Sequence, residues 1–161
     1  MKIRKARPQD IPQLVVLWKE FMLHHLELSR KGTADYEMHE LRRGSAKIWS
    51  AWARKQMRSR NSLLLVAEDK GSIAGFSMNF IKPNNPIYKV RKLGQINGLY
   101  VARPSRRKGI ATAFRREAFA WFRRNKVRYA CITYHSCNPD AGRIYEGWGF
   151  RVFHCELREK I

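Results

Sequence analysis

The chain has 161 residues, 44% hydrophobic and 12% aromatic, and its 33 Lys and Arg against 13 Asp and Glu give a formal net charge of +20. That length suits one domain, and that apolar and aromatic content excludes a disordered chain. No apolar run approaches the roughly 20 residues that span a bilayer, and Met1 to Arg7 lacks an apolar signal core, so a soluble, cytoplasmic single domain over residues 1–161 is expected, with no membrane partner.

Lys2 to Ala6 reads as a short strand. Asp10 followed by Gln13 resembles a capping box and opens the apolar spacing of Leu14, Leu17, Trp18 and Phe21, which predicts a helix from Asp10 to Glu27. Gly32 and Thr33 interrupt it, and a second helix is expected from Tyr36 to Gln56, with Leu41, Ile48, Trp49 and Trp52 turned inward. Ser62 to Glu68 is strand-like, and Asp69-Lys70-Gly71 turns it into a second strand, Ser72 to Ile81. After the loop Pro83-Asn84-Asn85-Pro86, a strand runs from Leu93 to Val101 and is closed by Pro104. Ile110 to Asn125 has helical periodicity through Phe114, Ala118, Trp121 and Phe122, which sends Arg115, Arg116, Arg123 and Arg124 mostly to solvent. Tyr129 to His135 is strand-like, Pro139 to Gly147 a short helix, and Phe150 to Leu157 a last strand. The order β-α-α-β-β-β-α-β-α-β predicts an α/β sandwich on a mixed sheet, with a right-handed parallel crossover in its second half.

Three cysteines, Cys131, Cys137 and Cys155, are an odd number in a domain that needs no staples, and reduced thiols are expected. With His135 and His154 they crowd the C-terminus, but no CxxC or HxxxH spacing accompanies them, so no metal is expected. The +20 charge predicts salt-sensitive attraction to polyanions, including non-specific contact with nucleic acid or the ribosome. It comes with neither a helix-turn-helix cue nor an RNA-stacking aromatic strand.

The most informative segment is Arg106-Arg107-Lys108-Gly109-Ile110-Ala111-Thr112, between the strand ending at Val101 and the helix beginning at Ile110. A helix start leaves backbone N–H groups unpaired and carries partial positive charge, so it suits a phosphate. Gly109 lets the backbone approach closely, and three cations before a helix start oppose the helix dipole unless an anion sits among them. Arg107 stands where a dinucleotide fingerprint needs a glycine, and no Lys-Ser/Thr pair follows Gly109, which argues against Rossmann and Walker sites.

Here the sequence resembles the GNAT N-acetyltransferase superfamily, whose signature Arg/Gln-x-x-Gly-x-Gly/Ala is matched by Arg106, Gly109 and Ala111. Leu99 to Pro104 is similar to the family's strand and V-x-P lead-in, and Asn138, Ala141, Tyr145, Gly149 and Phe150 to its N-x-x-A-x-x-x-Y-x-x-x-G-F segment. The resemblance covers the whole chain and implies a mostly antiparallel central sheet with helices on both faces. It further implies acetyl-CoA as cosubstrate: backbone amides of Arg107, Lys108, Gly109, Ile110, Ala111 and Thr112 on its pyrophosphate, with Arg106 in the same loop. Leu99, Tyr100 and Val101 would pair with the pantetheine arm, which Asn138 would also contact. Tyr145 would donate to the departing thiolate. Because a phenol near pKa 10 gives its proton to a thiolate of pKa 8.5 at a cost of about 2 kcal/mol, hydrogen bonding matters there as much as proton transfer. Asn138 before Pro139 also has the form of a helix N-cap.

Where many relatives carry a glutamate base, this chain has Asn97 and Gly98, leaving a water relay or a distant acid such as Glu27 or Glu68. A weak base favours amines of low pKa: about a tenth of an α-amine is uncharged at neutral pH, against well under a thousandth of a lysine. Five of the 13 acidic residues, Glu20, Glu27, Asp35, Glu37 and Glu40, fall within 21 residues on the family's acceptor side, either to draw in a cationic amine or to pair with Arg30, Lys31, Arg42 and Arg43. The expected function is acetylation of a primary amine, on a small molecule or a peptide N-terminus; the alternative is a basic RNA- or ribosome-associated binding protein on the same fold. Homodimers are common in the family.

Overall fold

A computed structural model describes residues 1–32 and 36–158. Thr33 and Asp35, which the sequence reading used, lie outside the described residues. The strands β1 (Lys2–Lys5), β2 (Ser62–Asp69), β3 (Ser72–Pro83), β4 (Lys92–Val101) and β5 (Ala130–Ile132) form one sheet in chain order. Every pairing is antiparallel except β4 with β5. The mixed, mostly antiparallel sheet therefore matches the expected fold.

Alternation along the strands divides the core. Leu64, Val66, Phe76, Met78 and Tyr100 face α1 (Ile11–Gly32) and α2 (Ser45–Arg58), whose Leu14, Trp18 and Trp49 complete that layer. Leu63, Leu65, Ala67 and Ile96 face α3 (Ile110–Arg124) and its Phe114, Ala118 and Phe122. A bulge separates Met78↔Gly98 from Asn79↔Ile96, so Asn97 has no cross-strand partner and β4 is bent there. On its other side β4 pairs with β5 only at Gly94, Gln95 and Ile96. Among the described residues, Asn97 to Val101 have no strand partner on that side.

Several boundaries differ from the sequence reading. Asp10 does not cap α1; a 3-10 turn over Pro8–Asp10 precedes the helix, and the Asp10 carboxylate accepts from the Arg7 N–H at 2.7 Å. Gln13 reaches across to β3, accepting from the Ile73 N–H at 2.8 Å. Nothing breaks α1 at Glu27, and it continues to Gly32. The expected helix over Tyr36–Gln56 is instead a 3-10 turn, Tyr36–His39, and α2, because Gly44 at φ 78 begins a new helix. Leu41 is thereby left off the helix, and α2 buries Trp49 and Ala53 while Ile48 stays 45% exposed. Arg115 is not solvated: it donates to the Trp148 carbonyl at 2.7 Å and lies over the Phe119 ring. Residues 150–157 form no strand, and Phe153 is 87% exposed. With β5 only three residues long, its outer edge offers too short a ladder to hold one.

The N-terminal corner is fixed by charge. Arg4 Nη1 and Nη2 fork onto both Asp10 oxygens at 2.7 and 2.9 Å, and Arg4 Nε donates to Glu68 on β2 at 2.5 Å. Both partners of the Arg4–Asp10 pair are nearly buried, with side chains 12% and 9% exposed. The guanidinium, aided by the Arg7 N–H, holds the Asp10 carboxyl below its ordinary 3.8. Asp10 therefore stabilises the fold fully above the ordinary carboxylate pKa, and that share is lost as pH falls through the lowered value. Replacing Arg4 with Met leaves a nearly buried carboxylate without its cation, so urea unfolding at pH 7 should show a loss of about 3 kcal/mol. A loss under about 0.5 kcal/mol would show that the corner is held by packing alone.

Candidate active site

The loop after β4 reverses at Arg103–Ser105 and enters α3 through two left-handed residues, Arg107 at φ 61 and Gly109 at φ 74. Gly109 is the N-cap residue, and its carbonyl accepts the Ala113 N–H at 2.9 Å. The N–H groups of Ile110, Ala111 and Thr112 precede the first helical hydrogen bond and have no partner within the helix. Left-handed residues in such a loop turn successive N–H groups toward a common point, an anion-binding geometry. A Cβ built on Gly109 meets nothing within 4 Å, so the approach is open. Ile110, 2% exposed, anchors the helix start in the core.

The three cations do different things. Arg106 Nε donates to the Val101 carbonyl at 3.0 Å and its guanidinium lies 5.8 Å from the Tyr100 ring, so Arg106 ties the loop to the end of β4. Arg107 and Lys108 are exposed.

Leu99, Tyr100 and Val101 lie on the part of β4 beyond its pairing with β5. The Tyr100 side chain turns toward α1, where its hydroxyl donates to Glu20 at 2.9 Å. The other wall of this opening is the chain after β5, which leads through His135 to α4 (Pro139–Gly147). Asn138 is the N-cap of α4, its carbonyl oxygen accepting the Ala141 N–H at 3.2 Å. The Tyr145 ring packs against Tyr134, Trp148 and Phe150. Burial raises its pKa above 10, so it stays a protonated donor. Residues 99–101 and 106–112 thus meet at the carboxyl end of β4, while Asn138 begins α4, which carries Tyr145, on the chain that continues from β5.

No carboxylate stands in the bulge, where Asn97 is exposed and Gly98 buried. Glu68 is committed to Arg4 at the sheet's far edge, and Glu20 to Tyr100. Of the other acidic residues on that side, Glu40 lines a shallow groove with Met22, Leu26, His39 and Leu41. A second groove, lined by Phe119, Arg123, Tyr129 and Trp148, lies beside α3. Neither groove includes residues 106–112.

A polar cluster beside the opening was not foreseen from sequence. Ser29, fully buried on α1, donates to the His25 carbonyl at 3.0 Å and lies 2.7 Å from His39 Nδ1 and 3.2 Å from His135 Nε2. His25 stacks edge-on against Phe21 at 4.4 Å. Burial, reinforced by His24, His39 and His135, holds the His25 pKa down to about 4. The one cue in the sequence is the four-residue spacing of His25 and Ser29 on a helix. Among the described residues no group of three or more His, Cys, Asp or Glu is placed to hold a metal, and no helix is long and apolar enough to cross a membrane.

Residues 21–150 match the family model described as the acetyltransferase (GNAT) family. No curated protein matches the chain significantly. The fold is similar to that of a tetramutant of the BH1408 protein from Bacillus halodurans, with TM-score 0.82, 20% identity and complete coverage of both chains. It is also similar to a predicted acetyltransferase with acetyl-CoA from Clostridium acetobutylicum, with TM-score 0.75 and 20% identity over 99% of this chain and 95% of that one. An aminoglycoside antibiotic 6'-N-acetyltransferase from Acinetobacter haemolyticus has TM-score 0.74 and 16% identity over 100% of this chain and 99% of its own.

The buried histidine has a consequence for stability. His25 titrates near 6.5 when unfolded and near 4 when folded, so in that window the unfolded chain takes up a proton that the fold refuses. Stability is full above pH 6.5 and falls as pH drops toward 4. The melting temperature of the wild type should decline over this window, and His25→Phe should flatten the decline. An unchanged slope in the variant would show that His25 is freely solvated.

Proposed function

Because the chain belongs to the GNAT acetyltransferase family, we propose that it is a single-domain acyltransferase that moves the acetyl group of acetyl-CoA to a primary amine by direct attack in a ternary complex. The observation that carries this reading is the open helix start at Gly109 set beside the edge of β4 at 97–101, which among the described residues pairs with no strand on its β5 side. Phosphates suit the first element, and an extended amide-bearing chain suits the second. The similar fold of the predicted acetyltransferase with acetyl-CoA from Clostridium acetobutylicum supports that choice of donor.

The residues that fit the donor are those of the two walls. The N–H groups of Arg107 to Thr112 would take the pyrophosphate, with Arg107 and Lys108 supplying charge. The backbone of Leu99, Tyr100 and Val101 would hold the pantetheine amides in the manner of an added strand. Asn138 would meet the same arm through its amide NH2, since its carbonyl oxygen already caps α4. When bound, the donor supplies a thioester carbonyl open to attack. Tyr145, kept as a phenol by its apolar neighbours, would donate to the sulfur as it leaves.

With Asn97 and Gly98 in the bulge, the site offers no strong base next to the nucleophile, which favours an acceptor that is partly uncharged at neutral pH. That condition selects a peptide N-terminus or a small amine of lowered pKa over a lysine side chain. The aminoglycoside antibiotic 6'-N-acetyltransferase of similar fold supports a small amine as one such acceptor. The +20 charge gives such an enzyme salt-sensitive affinity for an RNA-rich target such as the ribosome.

A panel of peptides tests this. With acetyl-CoA at pH 7.5, free N-termini and small amines of pKa near 8 should be acetylated at least about tenfold faster than N-blocked peptides carrying one lysine. Tyr145→Phe should lower kcat by about 100-fold with little change in acceptor KM. Turnover of no amine, together with RNA binding that weakens steeply with salt, would replace the enzyme with a basic RNA-associated binding protein.

A further inference from the structure

The turn that leads into α4 is bonded to α1 and to the Tyr36–His39 turn through a chain of polar groups. The Cys137 N–H donates to His135 Nδ1 at 3.1 Å, so that nitrogen carries no proton in the neutral ring. The neutral imidazole is therefore the Nε2–H tautomer, and Nε2 lies 3.2 Å from the buried Ser29 hydroxyl. Ser29 in turn lies 2.7 Å from His39 Nδ1, which joins the Tyr36–His39 turn to the same point. The Asn138 N–H donates to the His135 carbonyl at 2.8 Å and closes the turn. A second observation places the same turn against α1: Cys137 Sγ occupies the space where a side chain on Gly32 would begin, 1.8 Å from a Cβ built there.

Protonating His135 puts a hydrogen on Nδ1 against the Cys137 N–H, so the turn and the imidazolium exclude each other. Among the described residues the charged and titratable groups around this ring are His39 from the Tyr36–His39 turn, His25 from α1 and Arg158 from the C-terminal segment. Burial, with His39 and Arg158, keeps His135 below its ordinary pKa of 6.5. Each of those neighbours is neutral or positive, so none would stabilise an imidazolium.

We infer that Ser29, His39 and His135 form a hydrogen-bonded clasp that positions the 135–138 turn, and through it Asn138, for the pantetheine arm of the donor, and that the clasp closes only on the Nε2–H tautomer of His135. This rests on the acetyltransferase reading above. His135 is a positioning residue; the group that meets the donor is Asn138. Acid opens the clasp by protonating His135, so donor affinity falls on the acid side for a reason that lies in the protein.

Two measurements test this, and the first needs no donor. Long-range 1H–15N spectra of the free protein should show His135 as the Nε2–H tautomer at pH 7, titrating below 6.5; the Nδ1–H tautomer, or titration at or above 6.5, would overturn the clasp. The second is acetyl-CoA binding by calorimetry from pH 7.5 to 5. His135→Ala should weaken binding at pH 7.5 about tenfold with the melting temperature nearly kept. His135→Asn, whose side-chain oxygen can still accept the Cys137 N–H, should restore binding to within about threefold. It should also show a smaller acid-side loss than the wild type, because an amide does not titrate; His24, near Arg103 and Arg106, contributes equally to both. Wild-type affinity in His135→Ala, or parallel pH profiles for wild type and His135→Asn, would refute the inference. If the wild type binds no acetyl-CoA, the acetyltransferase reading fails and the tautomer measurement decides the clasp alone.

Discussion

The constraint on which the rest of the structure depends is the divided pairing of β4. Toward β3 it is bonded from Lys92 to Val101 with one bulge, whereas toward β5 it is bonded at Gly94, Gln95 and Ile96 only. A strand held on one side along its whole length and on the other over three residues leaves part of its edge without a strand partner among the described residues. In water such an edge invites another extended chain. The crossover that returns to β5 passes through α3, so the same topology sets a helix start beside that edge. The glycine-capped helix start and the open edge are thus two results of one parallel connection.

Around this opening the chain spends its charge unevenly. Arg4, Arg106 and Arg115 each bond to the protein itself and act as structural residues despite their charge. Arg107 and Lys108 stay exposed at the helix start, where positive charge opposes the dipole. That local cost has a physical rationale when an anion is expected there. On the α1 side the chemistry is different: histidines, a buried serine and the Tyr100–Glu20 bond make a polar lining of little net charge next to a strongly basic loop. On the reading proposed above, an anionic donor meets the first region and an amine the second.

Much of this was legible in the sequence, for reasons that differ from element to element. The strands at Ser62 to Ile81 declare themselves by apolar runs around a Lys-Gly turn, and α3 by a spacing that buries Phe114, Ala118 and Phe122. The loop at 106–112 is visible because its residue types, its glycine and its place between strand and helix agree. What was misread or missed depended on features that residue spacing does not encode, most of them long-range. The bulge at Asn97 arises from register with β3, the break at Gly44 from a left-handed φ, and the burial of Arg115 from the carbonyl of Trp148. The segment 150–157 alternates like a strand, but pairing needs an edge, and β5 supplies three residues. The histidine cluster joins positions 106 residues apart, which no local pattern encodes.

The central claim is that the helix start at Gly109 holds the phosphates of acetyl-CoA. Titrating acetyl-CoA calorimetrically into the wild type and into Gly109→Asp tests it most directly, because aspartate tolerates the left-handed φ of 74 while placing a carboxylate where phosphate would lie. The account predicts micromolar binding by the wild type and none by the variant. Equal binding by both, or none by the wild type, would contradict it.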